Sequence, residues 1–132
     1  MSTVLAVCLV CQSPSLSRDA LLRRTWEAVC LKESGGNPRA YRKSEDAAGI
    51  GQIRPVMVAE VNRIQKARVF TLAQRFDPLL SFEMFRIHSL AYAPNGTPEQ
   101  WARLWNGGGS GLKKRSTIQY GRAIARLMKE TR

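Results

Sequence analysis

The sequence predicts a mainly α single domain, with at most a small β-hairpin between Tyr41 and Ile53. Three observations carry this. Apolar residues recur at helical spacing behind residues that start helices, and alternating strand patterns of useful length are absent. The length of 132 residues, 44% of them hydrophobic, suits one domain with a real core and leaves no room for a second.

Residues 1–17 read as a leader or disordered segment ahead of a domain spanning 18–132. The apolar run Thr3–Val10 lacks a basic start and a small-x-small cut site, so the export signal is weak, with a truncated or atypical signal peptide as the competing reading. The run is far too short to cross a membrane. Cys8, Cys11 and Cys30 make an odd count with no accompanying metal-ligand set. The Cys8-x-x-Cys11 pair has no strand–helix context, which argues against redox or zinc chemistry.

Ser17 or Asp19 caps a first helix with Leu21, Leu22, Trp26, Val29 and Cys30 on its apolar stripe, ending near Glu33. From Ser34 to Asp46 the chain reads as loop, because Gly35-Gly36 admits left-handed backbone and Asn37-Pro38 forces an extended or turn step. Gly49 and Gly51 then prevent a stable helix interior and allow close approach to the backbone. Pro55 opens a second helix with Val56, Val58, Ala59, Val61 and Ile64 as its apolar content. Asp77-Pro78 opens a third, through Phe82, Phe85, Ile87 and Leu90 to about Tyr92. Thr97-Pro98-Glu99-Gln100 has the form of a capping box and should turn Trp101 and Leu104 inward. Ser116-Thr117-Ile118-Gln119 repeats that form ahead of a last helix through Tyr120, Ile124 and Leu127.

The formal charge is +11, from Lys and Arg spread between Arg18 and Arg132 with one dense run at Lys113-Lys114-Arg115. Such a field attracts nucleic acid, anionic lipid surfaces or acidic wall polymers without choosing among them, and solubility alone is the plainer reading. Among the acids, Asp19, Asp77 and Glu99 sit at helix starts, while Glu27, Glu60, Glu83 and Glu130 lie in helices where solvent suits them. Glu33, Glu45 and Asp46 remain, at or in glycine-flanked loops. A general acid needs a carboxyl group whose pKa is raised by apolar surroundings, and a helix end shielded by aromatic residues supplies that. By spacing alone, Glu33 is more simply a surface residue at a frayed end. His88, the single histidine, reads as a packed or partly exposed helix residue, so no triad or transition-metal cluster is available. Ser34 has no base to activate it, and Gly49-x-Gly51 is too short for a dinucleotide fingerprint.

Four blocks in order change the odds: Glu33-Ser34-Gly35-Gly36-Asn37-Pro38 with Ala40; Gly49-Ile50-Gly51-Gln52-Ile53-Arg54-Pro55; Trp105-Asn106-Gly107-Gly108; and Tyr120. Together, over about residues 18 to 128, they resemble the lytic transglycosylase family, whose catalytic domain has the goose-type lysozyme fold. The resemblance implies a catalytic Glu33 and a sugar groove formed by Ser34, Gly49, Ile50, Gln52, Trp105, Asn106 and Tyr120. Trp105 stands where the family has tyrosine, and Gly51 where it has a larger apolar residue. Ser44-Glu45-Asp46 fills a loop that in the family is usually serine and glycine with one residue more.

The implied activity is cleavage of the β-1,4 bond between N-acetylmuramic acid and N-acetylglucosamine in peptidoglycan. Glu33 would act as sole acid and base, with no cofactor and no metal. The alternative is a hydrolytic lysozyme that adds Asp46, or secondarily Glu45, as a second carboxylate. A non-catalytic wall-binding module is a further reading. A basic nucleic-acid-binding protein is the distant one, because the basic residues are scattered and Trp26, Phe85 and Trp101 fall on core stripes. The expected partner is the peptidoglycan glycan strand, met by a monomer without a transmembrane segment. The expected location is periplasmic, extracellular or phage-associated.

Overall fold

The computed structural model describes residues 15–131, and the Thr3–Val10 run and the Cys8/Cys11 pair lie outside them. The described residues are mainly helical, with five α-helices and one two-stranded antiparallel sheet. Helix α1 spans Arg18–Ser34, α2 Pro55–Gln65, α3 Pro78–Tyr92, α4 Pro98–Gly107 and α5 Ile118–Glu130. Strands β1 (Tyr41–Arg42) and β2 (Ala47–Ala48) form the hairpin expected between Tyr41 and Ile53. No described helix is long and apolar enough to cross a membrane.

Helix starts follow their side-chain chemistry. Ser17 accepts from the Ala20 N–H at 3.2 Å, and Asp77 accepts from Leu79 and Leu80 N–H at 2.9 and 3.0 Å. At α4, Thr97 and Gln100 satisfy each other's backbone N–H groups in a full capping box. Helix α1 ends where Gly35 turns left-handed at φ +63° and donates back to the Leu31 carbonyl at 3.0 Å.

One sequence reading needs correction. The Ser116–Gln119 box does not form: Thr117 keeps helical backbone and its hydroxyl donates to the Gly111 carbonyl while accepting from Arg103, so a 3-10 turn at Arg115–Thr117 leads into α5. Thr117 is more useful there because it is buried and has to satisfy Arg103 and a loop carbonyl at once. Of the apolar residues assigned to α2, only Val58 and Val61 are buried, whereas Val56 is 72% exposed at the edge of a cleft.

The core runs from Leu22, Trp26 and Val29 on α1, through Met84 and Phe85 on α3 and Trp101 on α4, to Ile124 on α5. At its centre Trp26 lies 5.1 Å from Phe85 and meets Trp105 edge-on at 5.5 Å, with Phe85 and Trp105 5.6 Å apart. Cys30 is a free, buried thiol pushed up to about 12 by burial, with Glu27 and Glu33 adding to it, so it stays protonated and unreactive.

Arg75 is the polar counterpart of that core. It is buried, and its guanidinium donates to the carbonyls of Leu72, Asp46 and Ile53 at 2.8, 2.6 and 3.0 Å and to Asp46 Oδ1 at 3.2 Å. It thereby ties the turn at Leu72–Phe76 to the hairpin and to the strand-like step at Ile53. Arg75→Met would remove the donor to the half-buried Asp46 carbonyl and one of the two donors to the Ile53 carbonyl, and would leave the Asp46 carboxylate without its arginine. Its unfolding free energy should fall by about 3 kcal/mol or more, read from urea titration.

Candidate active site

One broad cleft of about 770 Å³ lies between the end of α1, the hairpin, α2 and the α4–α5 connection. Glu33 reaches it because of helical arithmetic. Leu22, Trp26, Val29 and Cys30 form the buried stripe of α1, and Glu33 is seven residues beyond Trp26, two turns along the same face. The carboxylate is therefore carried to the rim of the core, not out to solvent. Sequence alone contained this signal in the spacing from Trp26 to Glu33.

Glu33 is half-buried, and Tyr120 on α5 donates its hydroxyl to Oε1 at 3.1 Å. Burial holds the Glu33 carboxyl above its usual range, against the opposing pull of the Tyr120 hydrogen bond and of the Arg42, Lys32 and Arg54 charges. Desolvation is the largest effect and decides the direction. Tyr120 is itself pushed well above the ordinary phenol range, by burial first and by the Glu33 charge next, so it remains a donor.

The Gly49–Gln52 block is a locked turn at the cleft floor, closed by the Ala48–Ile53 pair with hydrogen bonds of 3.0 and 2.9 Å. A Cβ on Gly49, whose φ is +81°, would sit 1.8 Å from the Arg75 carbonyl oxygen. A Cβ on Gly51 would sit 2.2 Å from the Trp26 indole, so Trp26 already occupies the volume a larger residue there would need. Gln52 adopts φ +50° and donates its amide to the Gly49 and Ala40 carbonyls, at 3.0 and 3.3 Å, while lining the cleft.

The predicted site residues divide into two groups. Glu33, Gln52, Trp105, Asn106, Tyr120 and Glu45 line the cleft together. Ser34, Gly49 and Ile50, expected along the groove, and Asp46, the candidate second carboxylate, do not line this cleft. Ser34 Oγ donates to the Ile50 carbonyl at 2.7 Å and accepts from Asn37 N–H at 3.1 Å, joining the end of α1 to the floor turn. Asp46 is engaged by Arg75 at 3.2 Å and by the Tyr41 hydroxyl at 3.0 Å. Glu45 is in the cleft, but Arg42 and Arg54 hold its two oxygens at 3.0 and 3.1 Å.

Two cleft residues escaped the sequence reading. Glu60, taken for a solvated helix acid, faces the cleft beside Met57. Hydrogen bonds from Arg63, and then from Tyr92, hold its carboxyl down at about 2. His88 also lines the cleft, yet it is fully buried, 5.0 Å from the Tyr92 ring and 6.3 Å from Trp105, and neither ring nitrogen has a protein partner. Burial lowers it to about 4, so the ring is neutral and no carboxylate orients it as a base. Among the described residues no three His, Cys, Asp or Glu side chains converge where a metal ion could be held.

No protein-family model, no curated protein and no solved structure matches the chain.

An acid kept partly out of water should cost stability once it ionises. With its folded pKa raised, Glu33 penalises the native state as pH climbs from the unfolded value of about 4.3 through the folded one. Glu33→Gln can still accept from Tyr120. It should raise the melting temperature at pH 7, and the gain should vanish below about pH 4, in paired thermal melts across that range.

Proposed function

We propose that this protein is a peptidoglycan-cleaving glycosidase with a lysozyme-like fold, working as a lytic transglycosylase with Glu33 as its only acid and base. The observation that carries the reading is the state of Glu33: a half-buried carboxyl on a cleft wall, held above its usual pKa range, with one donor, Tyr120, aimed at it. Protonated Glu33 gives its proton to the glycosidic oxygen as the C1–O4 bond breaks. The resulting carboxylate takes the proton of the muramoyl 6-hydroxyl, whose oxygen closes onto C1 to give a 1,6-anhydro sugar. Tyr120 keeps the carboxylate oriented and steadies its charge between the two transfers.

The other carboxylates near the cleft favour this reading over a hydrolytic lysozyme. Glu45 is shared by Arg42 and Arg54, Asp46 is taken up by Arg75 and Tyr41, and Glu60 is held far down by Arg63 and Tyr92. A carboxylate so strongly stabilised is a poor base for activating water. The four blocks that resemble the transglycosylase family point the same way. The substrate class locates the enzyme outside the cytoplasmic membrane, whether exported, carried on a phage particle or released by lysis.

Digestion of purified sacculi tests both the reaction and the residue. Wild-type protein should release muropeptides that end in anhydro-muramic acid by mass, and Glu33→Gln should release none while keeping its circular dichroism spectrum. Reducing ends would instead identify a hydrolase. Binding to sacculi with no released fragments would identify a wall-binding module.

The pH dependence follows from the same carboxyl group. Activity should fall as pH rises through the elevated Glu33 pKa, because the acid form is lost. Tyr120→Phe removes a donor that favours the ionised form. Its alkaline limb in kcat/KM should therefore lie at higher pH than that of wild type, even as the maximal rate drops.

A further inference from the structure

Beside Glu33, the cleft carries two guanidiniums that share a single carboxylate. Arg42 Nη1 and Arg54 Nη2 lie 3.0 and 3.1 Å from the two oxygens of Glu45, with side chains 55% and 56% exposed against 38% for Glu45. Each guanidinium presents a fork of donors, and one carboxylate uses only part of two such forks. Lys32 adds a third cation, and all three are close enough to Glu33 to oppose its protonation. When Glu33 carries its proton, three cations thus face one ionised acid on this side of the cleft. A neutral oligosaccharide gains nothing from that excess. A strand bearing carboxylates gains charge-assisted hydrogen bonds.

We propose that Arg42 and Arg54 form a carboxylate-binding subsite that takes an anionic group of the glycan strand next to the bond being cleaved. Glu45 occupies the pair in the free protein and competes with the incoming carboxylate. The identity of the strand rests on the function proposed above. Its carboxylate has two chemical sources: the peptide stem, or the lactyl group of a muramoyl residue whose stem has been removed.

Binding measured by calorimetry on the full chain carrying Glu33→Gln, so that nothing is cleaved, tests the subsite. Three probes of equal sugar length are compared: a stem-bearing glycan strand, a strand stripped to free lactyl carboxylates, and a chitooligosaccharide. At least one carboxylated probe should bind about tenfold or more tighter than the chitooligosaccharide. The probe that does so identifies the source. Adding Arg54→Gln, alone or with Arg42→Gln, should shrink that preference towards none, and adding Glu45→Gln should enlarge it. Arg54 lies outside the hairpin, so its single substitution keeps the test intact if the double variant does not fold. Equal affinity for all three probes overturns the subsite, as does a preference that survives the arginine substitutions or falls with Glu45→Gln. Cleavage of sacculi by wild type without any carboxylate preference would overturn the subsite alone. A preference in a protein that never cleaves would overturn the catalytic reading alone.

Discussion

The packing of Trp26 is the constraint on which the cleft depends. Its indole is shared by two layers: it contacts Phe85 and Trp105 in the core, and it fills the space directly under Gly51 in the floor turn. Interiors packed at crystal-like density transmit such a restraint instead of absorbing it. Because Glu33 stands two turns further along the same helical face, the residue that supports the floor also sets where the acid projects. The floor is then pinned from two more directions, by Ser34 Oγ on the Ile50 carbonyl and by the Arg75 backbone against Gly49.

Electrostatics divides the acidic groups into two kinds. Glu33 is governed by burial, with three nearby cations and a phenol hydrogen bond insufficient to reverse the direction of its shift. Glu60 is governed by direct hydrogen bonds, and its carboxyl is held far below the usual range. Glu45 and Asp46 are paired with arginines, one pair at the cleft edge and one against the buried Arg75. Two outcomes for the same functional group, a carboxyl kept ready to hold a proton and a carboxyl kept ionised, coexist because burial outweighs the donor and cations at Glu33 while direct hydrogen bonds outweigh burial at Glu60. That separation is the usual basis for assigning acid and base roles.

Several features were readable because their causes are local. The cap at Ser17, the Asp77-Pro78 start, the Thr97–Gln100 box and the stop at Gly35 each depend on residues within one turn of one another. The lack of any longer strand pattern left room for at most a small hairpin between Tyr41 and Ile53, and one forms there. The Ser116–Gln119 box has the right letters and fails, because Ser116 lies inside the 3-10 turn at Arg115–Thr117 and α5 starts only at Ile118, while Arg103, fourteen residues from Thr117, engages the hydroxyl at that junction. Of the two states the sequence left open for His88, packed or partly exposed, it is packed, against the rings of Tyr92 and Trp105 from two elements.

The sequence by itself determined the helices, those ends that are capped by near neighbours, the glycine-dependent turn beneath the cleft and the position of Glu33 at a helix terminus, because propensity, capping and period act between near neighbours. Tertiary structure alone decided which carboxylates share the cleft and which are spent elsewhere. Asp46 was claimed by Arg75, Glu45 by two arginines from different segments, and Glu60 was turned inward against Arg63 and Tyr92. It also brought Tyr120 across 87 positions of sequence to the Glu33 carboxyl. The physical reason is that a carboxyl group's state depends on the burial and the donors within a few ångströms of it, and those come from parts of the chain that no local pattern connects.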